Sequence, residues 1–126
     1  MRVREGDVFT WERAFTKEEV YEFGELTHNK AAFHIKENAR GQIMAHGLLT
    51  ASIPTKIGGD LNYMAREMTF EFIRPVFTGD TIRCELCITK AIAAGERQKV
   101  EMEVRCCNQH DTEVLRARSH GVIADI

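Results

Sequence analysis

From Glu67 onward, apolar and polar residues alternate along the chain. In REMTFEFIRPVF, Met68, Phe70 and Phe72 share one face and Glu67, Thr69 and Glu71 the other, the period-two pattern of a half-buried strand. TIRCELCITKAI repeats it with Ile82, Cys84, Leu86 and Ile88. RQKVEMEVRCC places Val100, Met102, Val104 and Cys106 inward and Lys99, Glu101, Glu103 and Arg105 outward. EVLRARSHGVI predicts a last strand with a less regular pattern. Turn residues separate these runs at Thr78-Gly79-Asp80, Ala94-Gly95-Glu96 and Asn108 to Asp111, as turn chemistry requires. Near the N-terminus, VFTWERAF is rich in aromatic and β-branched residues and predicts a first strand.

Two segments have a helical period instead. TKEEVYEFGELT opens with Thr16 and carries Glu19 three residues later, a capping box. Val20, Phe23 and Leu26 then recur on one face, so a short amphipathic helix is expected from Thr16 to about Thr27. From Met44 to Ile57 the chain is apolar almost all round, ending at Gly58-Gly59. Such a helix is buried, with the glycines as its stop. Pro54 inside it predicts a kink or a tightened last turn. A long antiparallel sheet with one dry face, together with one apolar helix, implies a sheet curled around that helix. The fold class is therefore α+β, a single domain over residues 1–126, with about five strands around a central helix.

Length, 126 residues, is enough for a core without staples. A net charge of -2 gives no electrostatic reason to expect nucleic acid or an anionic membrane surface as partner. No apolar run reaches membrane-spanning length, and MRVREGDVFTWER has no secretory h-region, so the expected location is the cytoplasm. The four cysteines, Cys84, Cys87, Cys106 and Cys107, include a C-x-x-C spacing. It lies in an alternating strand, so Cys84 and Cys87 point to opposite faces; buried free thiols in a reducing compartment are expected. No His-x-x-x-His or His/Cys cluster supports a metal site.

GQIMAHGLLTAS followed by MTFEFIRPVFTGDTI resembles the MaoC-like branch of the hot-dog fold, which includes (R)-specific enoyl-CoA hydratases and related dehydratases. The resemblance runs from about Phe9 to Ile123. It implies a hot-dog homodimer with sheets joined edge to edge, or a heteromer with a paralogue. It also implies an acyl-thioester site near the subunit interface, with CoA or acyl-carrier pantetheine as part of the substrate and no separate cofactor.

The helix entry can be read on physical grounds. Unpaired N–H groups and the positive dipole end at the start of a buried helix polarise a thioester carbonyl and stabilise an enolate oxygen. Gly47 permits close approach, and in the family the matching glycine N–H is the oxyanion donor. The structural alternative for His46-Gly47 is a helix cap with a packing glycine.

The family's catalytic pattern is Asp-x-Asn-Pro-aliphatic-His. Laid on this chain, the histidine falls on His34, the Asn-Pro pair on Ala31-Ala32, the aliphatic position on Phe33 and the acid on Asn29. An asparagine can hold a water but cannot take a proton, and acid–base help is worth about 10²–10⁴-fold. Asn29, His34 and Gly47 are the candidate catalytic residues, with Phe33, His46 and Leu48 as candidate substrate-binding residues. Leu49 and Ile53 are either acyl-tunnel or core residues. Glu25, Glu37 or Asp60 is each a candidate substitute carboxylate or a solvated surface charge. His34 itself is either the base or a buried histidine bonded to a backbone carbonyl. His28 is expected at a helix C-terminus, His110 in a solvated turn, and His120 in the last strand without a role. The expected activity is enoyl-thioester hydration or dehydration; thioester hydrolysis and a binding subunit without turnover are the alternatives.

Overall fold

A computed structural model describes residues 2–124. The elements in order are β1 (Val8–Arg13), α1 (Lys17–Thr27), a 3₁₀ turn (Ala32–His34), α2 (Gly47–Asp60), β2 (Tyr63–Phe72), β3 (Ile82–Ala94), β4 (Arg97–Cys107) and β5 (Glu113–Ala124). The strands make one antiparallel sheet in the order β1-β3-β4-β5-β2. Helix α2 packs on β1, β2 and β3. The inward residues of β3 and β4 are buried as their alternation requires, with Ile82, Leu86, Ile88 and Val100 in the core against Ile53 and Ile57 of α2.

Local chemistry sets the ends of the elements. At the start of α1, Thr16 Oγ1 accepts the Glu19 N–H while the Glu19 carboxylate accepts the Thr16 N–H, the reciprocal box that the sequence predicts. Gly79 and Gly95 turn the chain with positive φ. Asn108 Oδ1 accepts the His110 and Thr112 N–H groups in the third turn.

The apolar helix departs from expectation at both ends. Residues 43–45 are extended: Met44 bridges Phe77, Ala45 N–H donates to Val76 O, and Thr78 N–H donates to Ile43 O. Both a buried helix and a buried extended run read as continuous apolar sequence, so the pattern alone set the start three residues too early. Gly58 and Gly59 do not stop the helix. They stay helical, and the turn comes at Asn62 with φ 54. Leu61 N–H is shared between the Ile57 and Gly58 carbonyls, the tightened last turn expected near Pro54.

Nor is α2 buried all round. Leu48 is 66% exposed, and Thr55, Lys56, Gly59 and Asp60 are exposed too. Along β2 the apolar face is only partly covered: Phe70 is half-buried against the core, whereas Met68 is 42% and Phe72 53% exposed. β2 is an edge strand, bonded only to β5.

Two of the four cysteines are core residues. Cys84 and Cys106 sit directly opposite each other across β3 and β4 and are buried, whereas Cys87 and Cys107 are half-buried. All four are free thiols. The hydrogen-bonded Cys84 thiol and then burial push the Cys106 pKa up, so it stays protonated and unreactive. No described helix is long and apolar enough to cross a membrane.

Candidate functional site

The chain between α1 and α2 is shaped by short-range bonds. His28 caps α1 in the left-handed conformation, φ 61, which places it at the helix C-terminus as expected. Thr27 Oγ1 donates to Phe23 O and accepts the Asn29 N–H. Asn29 Oδ1 accepts the Ala31 N–H at 3.4 Å, an Asx-type turn that leads into the 3₁₀ turn carrying His34.

This loop is joined to the α2 entry by a reciprocal pair of histidines. His34 Nδ1 lies 2.8 Å from Met44 O, and His46 Nε2 lies 2.8 Å from Asn29 O. A carbonyl only accepts, so His34 carries its proton on Nδ1 and His46 carries its proton on Nε2. The rings stack at 3.8 Å between centroids with 18° between planes. Phe33 meets His34 edge-on at 4.6 Å, and Phe23 meets His46 at 4.9 Å. Met44 N–H also donates to Phe33 O. His34 is thus the buried, carbonyl-bonded histidine of the structural reading, yet this bond also leaves Nε2 as a bare lone pair.

Among the described residues, the fully buried side-chain nitrogen left without a partner is His46 Nδ1. His34 Nε2 makes no hydrogen bond among them either, in a residue that is 6% exposed. A cavity of about 190 Å³ contains His34 and Asn29 together with Tyr21, Gly24, Glu25 and Lys30. His46 is buried still more deeply, at 2% exposed. Desolvation is the main cause that lowers its pKa, with the nearby His34 adding to it and the Asn29 carbonyl opposing.

Gly47 is the first residue of α2, and the first intrahelical bond is from Thr50 N–H to His46 O. The Gly47, Leu48 and Leu49 N–H groups find no acceptor among the described residues. His46 caps the helix without a side-chain bond. The Phe72 ring stands against Gly47: a Cβ there would lie 3.1 Å from Phe72 Cε1. The packing glycine and the open helix end therefore coexist.

The predicted residues are only partly gathered. Asn29 and His34 share a cavity; Gly47 is outside its lining and connects to it through His46. Phe33 and Leu48 are exposed beside these elements, while Leu49 and Ile53 are core. Of the three carboxylates, Glu25 alone lines the His34 cavity. It pairs with Lys30 at 2.8 Å, which holds its pKa low. Glu37 pairs with Lys17, and Asp60 with Lys56. His110 and His120 are exposed.

The sequence reading missed a second cavity, of about 270 Å³, between α2 and the sheet. Pro54, Gly58 and Gly59 of α2 face Tyr63, Met68 and Phe70 of β2 across it, with Leu86, Met102 and Ser119 among its other walls. At one side, Tyr63 Oη and Ser119 Oγ lie 2.6 Å apart, and Ser119 Oγ donates to Glu67 O. The glycine pair, taken from sequence as a stop, was the available signal: it leaves space opposite Tyr63.

The sequence matches no family model and no curated protein. Solved structures do match over nearly the whole chain. The (R)-hydratase from A. caviae involved in PHA biosynthesis aligns with TM-score 0.83 at 20% identity, covering 98% of each chain. The chain has the hot-dog fold. The MaoC-like dehydratase from Rhodospirillum rubrum aligns with TM-score 0.78 at 17% identity, over 98% of this chain and 94% of that one. The ChsH1-ChsH2 complex from Mycobacterium tuberculosis gives TM-score 0.78 at 10% identity, over 98% and 100%. At such identities the likeness is one of fold, and the site has to be argued from its own residues.

Proposed function

We propose that this hot-dog chain acts on acyl thioesters, adding water across an enoyl thioester or removing it from a hydroxyacyl thioester. The observation that carries the reading is the unbonded Nε2 of a His34 that lines a cavity with Asn29 and whose tautomer is fixed by Met44 O. In the hydration direction the Asn29 amide positions a water and His34 Nε2 removes its proton. The oxygen forms a bond to Cβ while the Cα=Cβ electrons shift toward the carbonyl. The Gly47 N–H and the α2 dipole stabilise the resulting enolate oxygen. The His34 imidazolium then returns its proton to Cα, so one base serves both steps and the proton balance closes without a carboxylate. The apolar cavity beside Tyr63 suits the acyl chain, with CoA or carrier pantetheine as the attached group.

A second copy belongs on β2. Its free edge carries exposed Met64, Met68 and Phe72, and an apolar edge strand is covered by pairing. A homodimer satisfies this; a heteromer with a paralogue is the alternative. Asn29 in the acid's position favours a second reading, a thioester-binding subunit that relies on an active partner.

The test is incubation with crotonyl-CoA and with a crotonyl-carrier thioester, following loss of the enoyl absorbance and release of free thiol. Hydration predicts absorbance loss without thiol release. Thiol release marks hydrolysis. Thermal stabilisation by the thioesters with neither change marks the binding subunit.

A further inference from the structure

The sequence reading placed His46 among the substrate-binding residues, but the ring is 2% exposed and enclosed by His34, Phe23 and the Asn29 carbonyl. Its neighbours suggest a different role. His34 belongs to the loop and donates to the helix entry at Met44 O; His46 belongs to the helix entry and donates to the loop at Asn29 O. Each histidine thereby ties the other's segment, and the stacked rings hold the two bonds in one block. Gly24 of α1 makes room for this arrangement, since a Cβ there would meet Asn29 O at 3.2 Å and His46 Nε2 at 3.6 Å.

We propose that His46 is the positioning residue of this site, fixing through its Asn29 bond and its stack on His34 both the place of the water-holding loop and the direction of the His34 Nε2 lone pair. This rests on the acyl-thioester reading, in which His34 is the base. His46 takes up the task that a carboxylate would otherwise share, holding the base in one orientation and keeping its loop where Met44 O can fix the tautomer. It does so without carrying charge itself. The titratable groups facing the pair are few: His34 from the 3₁₀ turn, and Tyr21, Glu25 and Lys30 around the cavity that His34 lines. A protonated His34 is stacked on a neutral ring rather than facing a second cation.

Nitrogen NMR of the ring tautomers tests the structural half without any activity. The unaltered protein at neutral pH is expected to show a single Nδ1–H tautomer at His34 and a single Nε2–H tautomer at His46. In His46→Phe, which keeps a ring but removes the Asn29 bond, the freed loop is expected to loosen the His34 Nδ1–Met44 O bond, so that His34 shows a mixture of tautomers. His46→Gln retains an amide donor for Asn29 O and loses the stack, and serves if the Phe variant does not fold. In the hydration assay both variants are expected to lose about 10- to 100-fold in kcat, as misplacement of a reacting group does, with KM changed less than about twofold. A purely structural role would instead lower Tm and leave kcat per folded molecule unchanged. The proposal is overturned if His34 holds its single tautomer in these variants, or if their kcat equals that of the unaltered protein. If the tautomers behave as stated and no thioester is hydrated by any form, the acyl-thioester reading falls and the clasp stands.

Discussion

Replacing Gly47 with alanine separates packing from chemistry. The added methyl would lie 3.1 Å from Phe72 Cε1 and 3.2 Å from Phe72 Cδ1. These contacts are tight by only a few tenths of an ångström, and the obstructing group is a side chain that is 53% exposed. A shifted Phe72 ring costs about 0.5–1.5 kcal/mol if it leaves its rotamer. Alanine recovers up to about 1 kcal/mol over glycine within a helix. The two nearly cancel, so stability is expected to stay within about 1 kcal/mol, a Tm change of a few degrees. Activity responds differently. The methyl occupies the approach to the Gly47 N–H, and loss of one oxyanion donor is worth about 10²–10³ in kcat. Gly121→Ala is the control: its Cβ would meet the Met64 carbonyl oxygen at 2.1 Å and Ala65 Cα at 2.9 Å. Neither backbone atom can rotate away, so a loss of about 3 kcal/mol or more is expected. Thermal unfolding and enoyl-thioester turnover, measured on both variants, decide the matter. A Gly47→Ala protein with full activity refutes the oxyanion role, and one that unfolds like Gly121→Ala refutes the packing argument.

Three further outcomes are expected. Asn29→Asp places a carboxylate beside His34 and should raise hydration by about 10²–10⁴-fold; an unchanged rate would mean that this position does not face the reacting water. Because burial lowers the His46 pKa in the folded protein, the unfolded chain binds more protons below its value of about 6.5, and stability falls as pH drops through that window. Tm is therefore expected to decline from pH 7 toward pH 5, with a shallower decline in His46→Phe, and identical slopes would count against the buried neutral ring. Gln98, buried in β4, accepts the Val3 N–H through Oε1 and donates to Val3 O through Nε2, both at 2.9 Å. Gln98→Ala leaves a buried donor and acceptor unpaired, and chemical denaturation should show a loss of about 2–3 kcal/mol.

Strands β3 and β4 were legible because each has one covered and one open face, which period-two patterning reports directly. The capping box at Thr16 and Glu19 was legible because both partners lie within four residues. The start of α2 was not, since residues 43–45 are extended, with Ile43 and Ala45 buried, a run that apolar composition does not distinguish from helix. Gly58 and Gly59 misled for a related reason: glycine permits a stop without requiring one, and Asn62 provides the turn instead. At the site, the place of His28 at the helix end was legible, and His34 has the buried, carbonyl-bonded environment that was one of its two readings. The clasp itself was hidden, because it depends on two segments meeting across the α1–α2 connection. The apolar cavity was hidden for the same reason, drawing its walls from α2 and four strands.

The most direct test of the account is hydration of a crotonyl thioester in ¹⁸O-labelled water, with products resolved by mass spectrometry for the unaltered protein and for His34→Gln. The glutamine can still donate to Met44 O but cannot take a proton. The account predicts labelled oxygen on Cβ of an intact 3-hydroxyacyl thioester, formed by the unaltered protein and reduced at least 10²-fold in the variant. Label appearing in a free carboxylate with release of thiol, or equal Cβ labelling by both proteins, would contradict it.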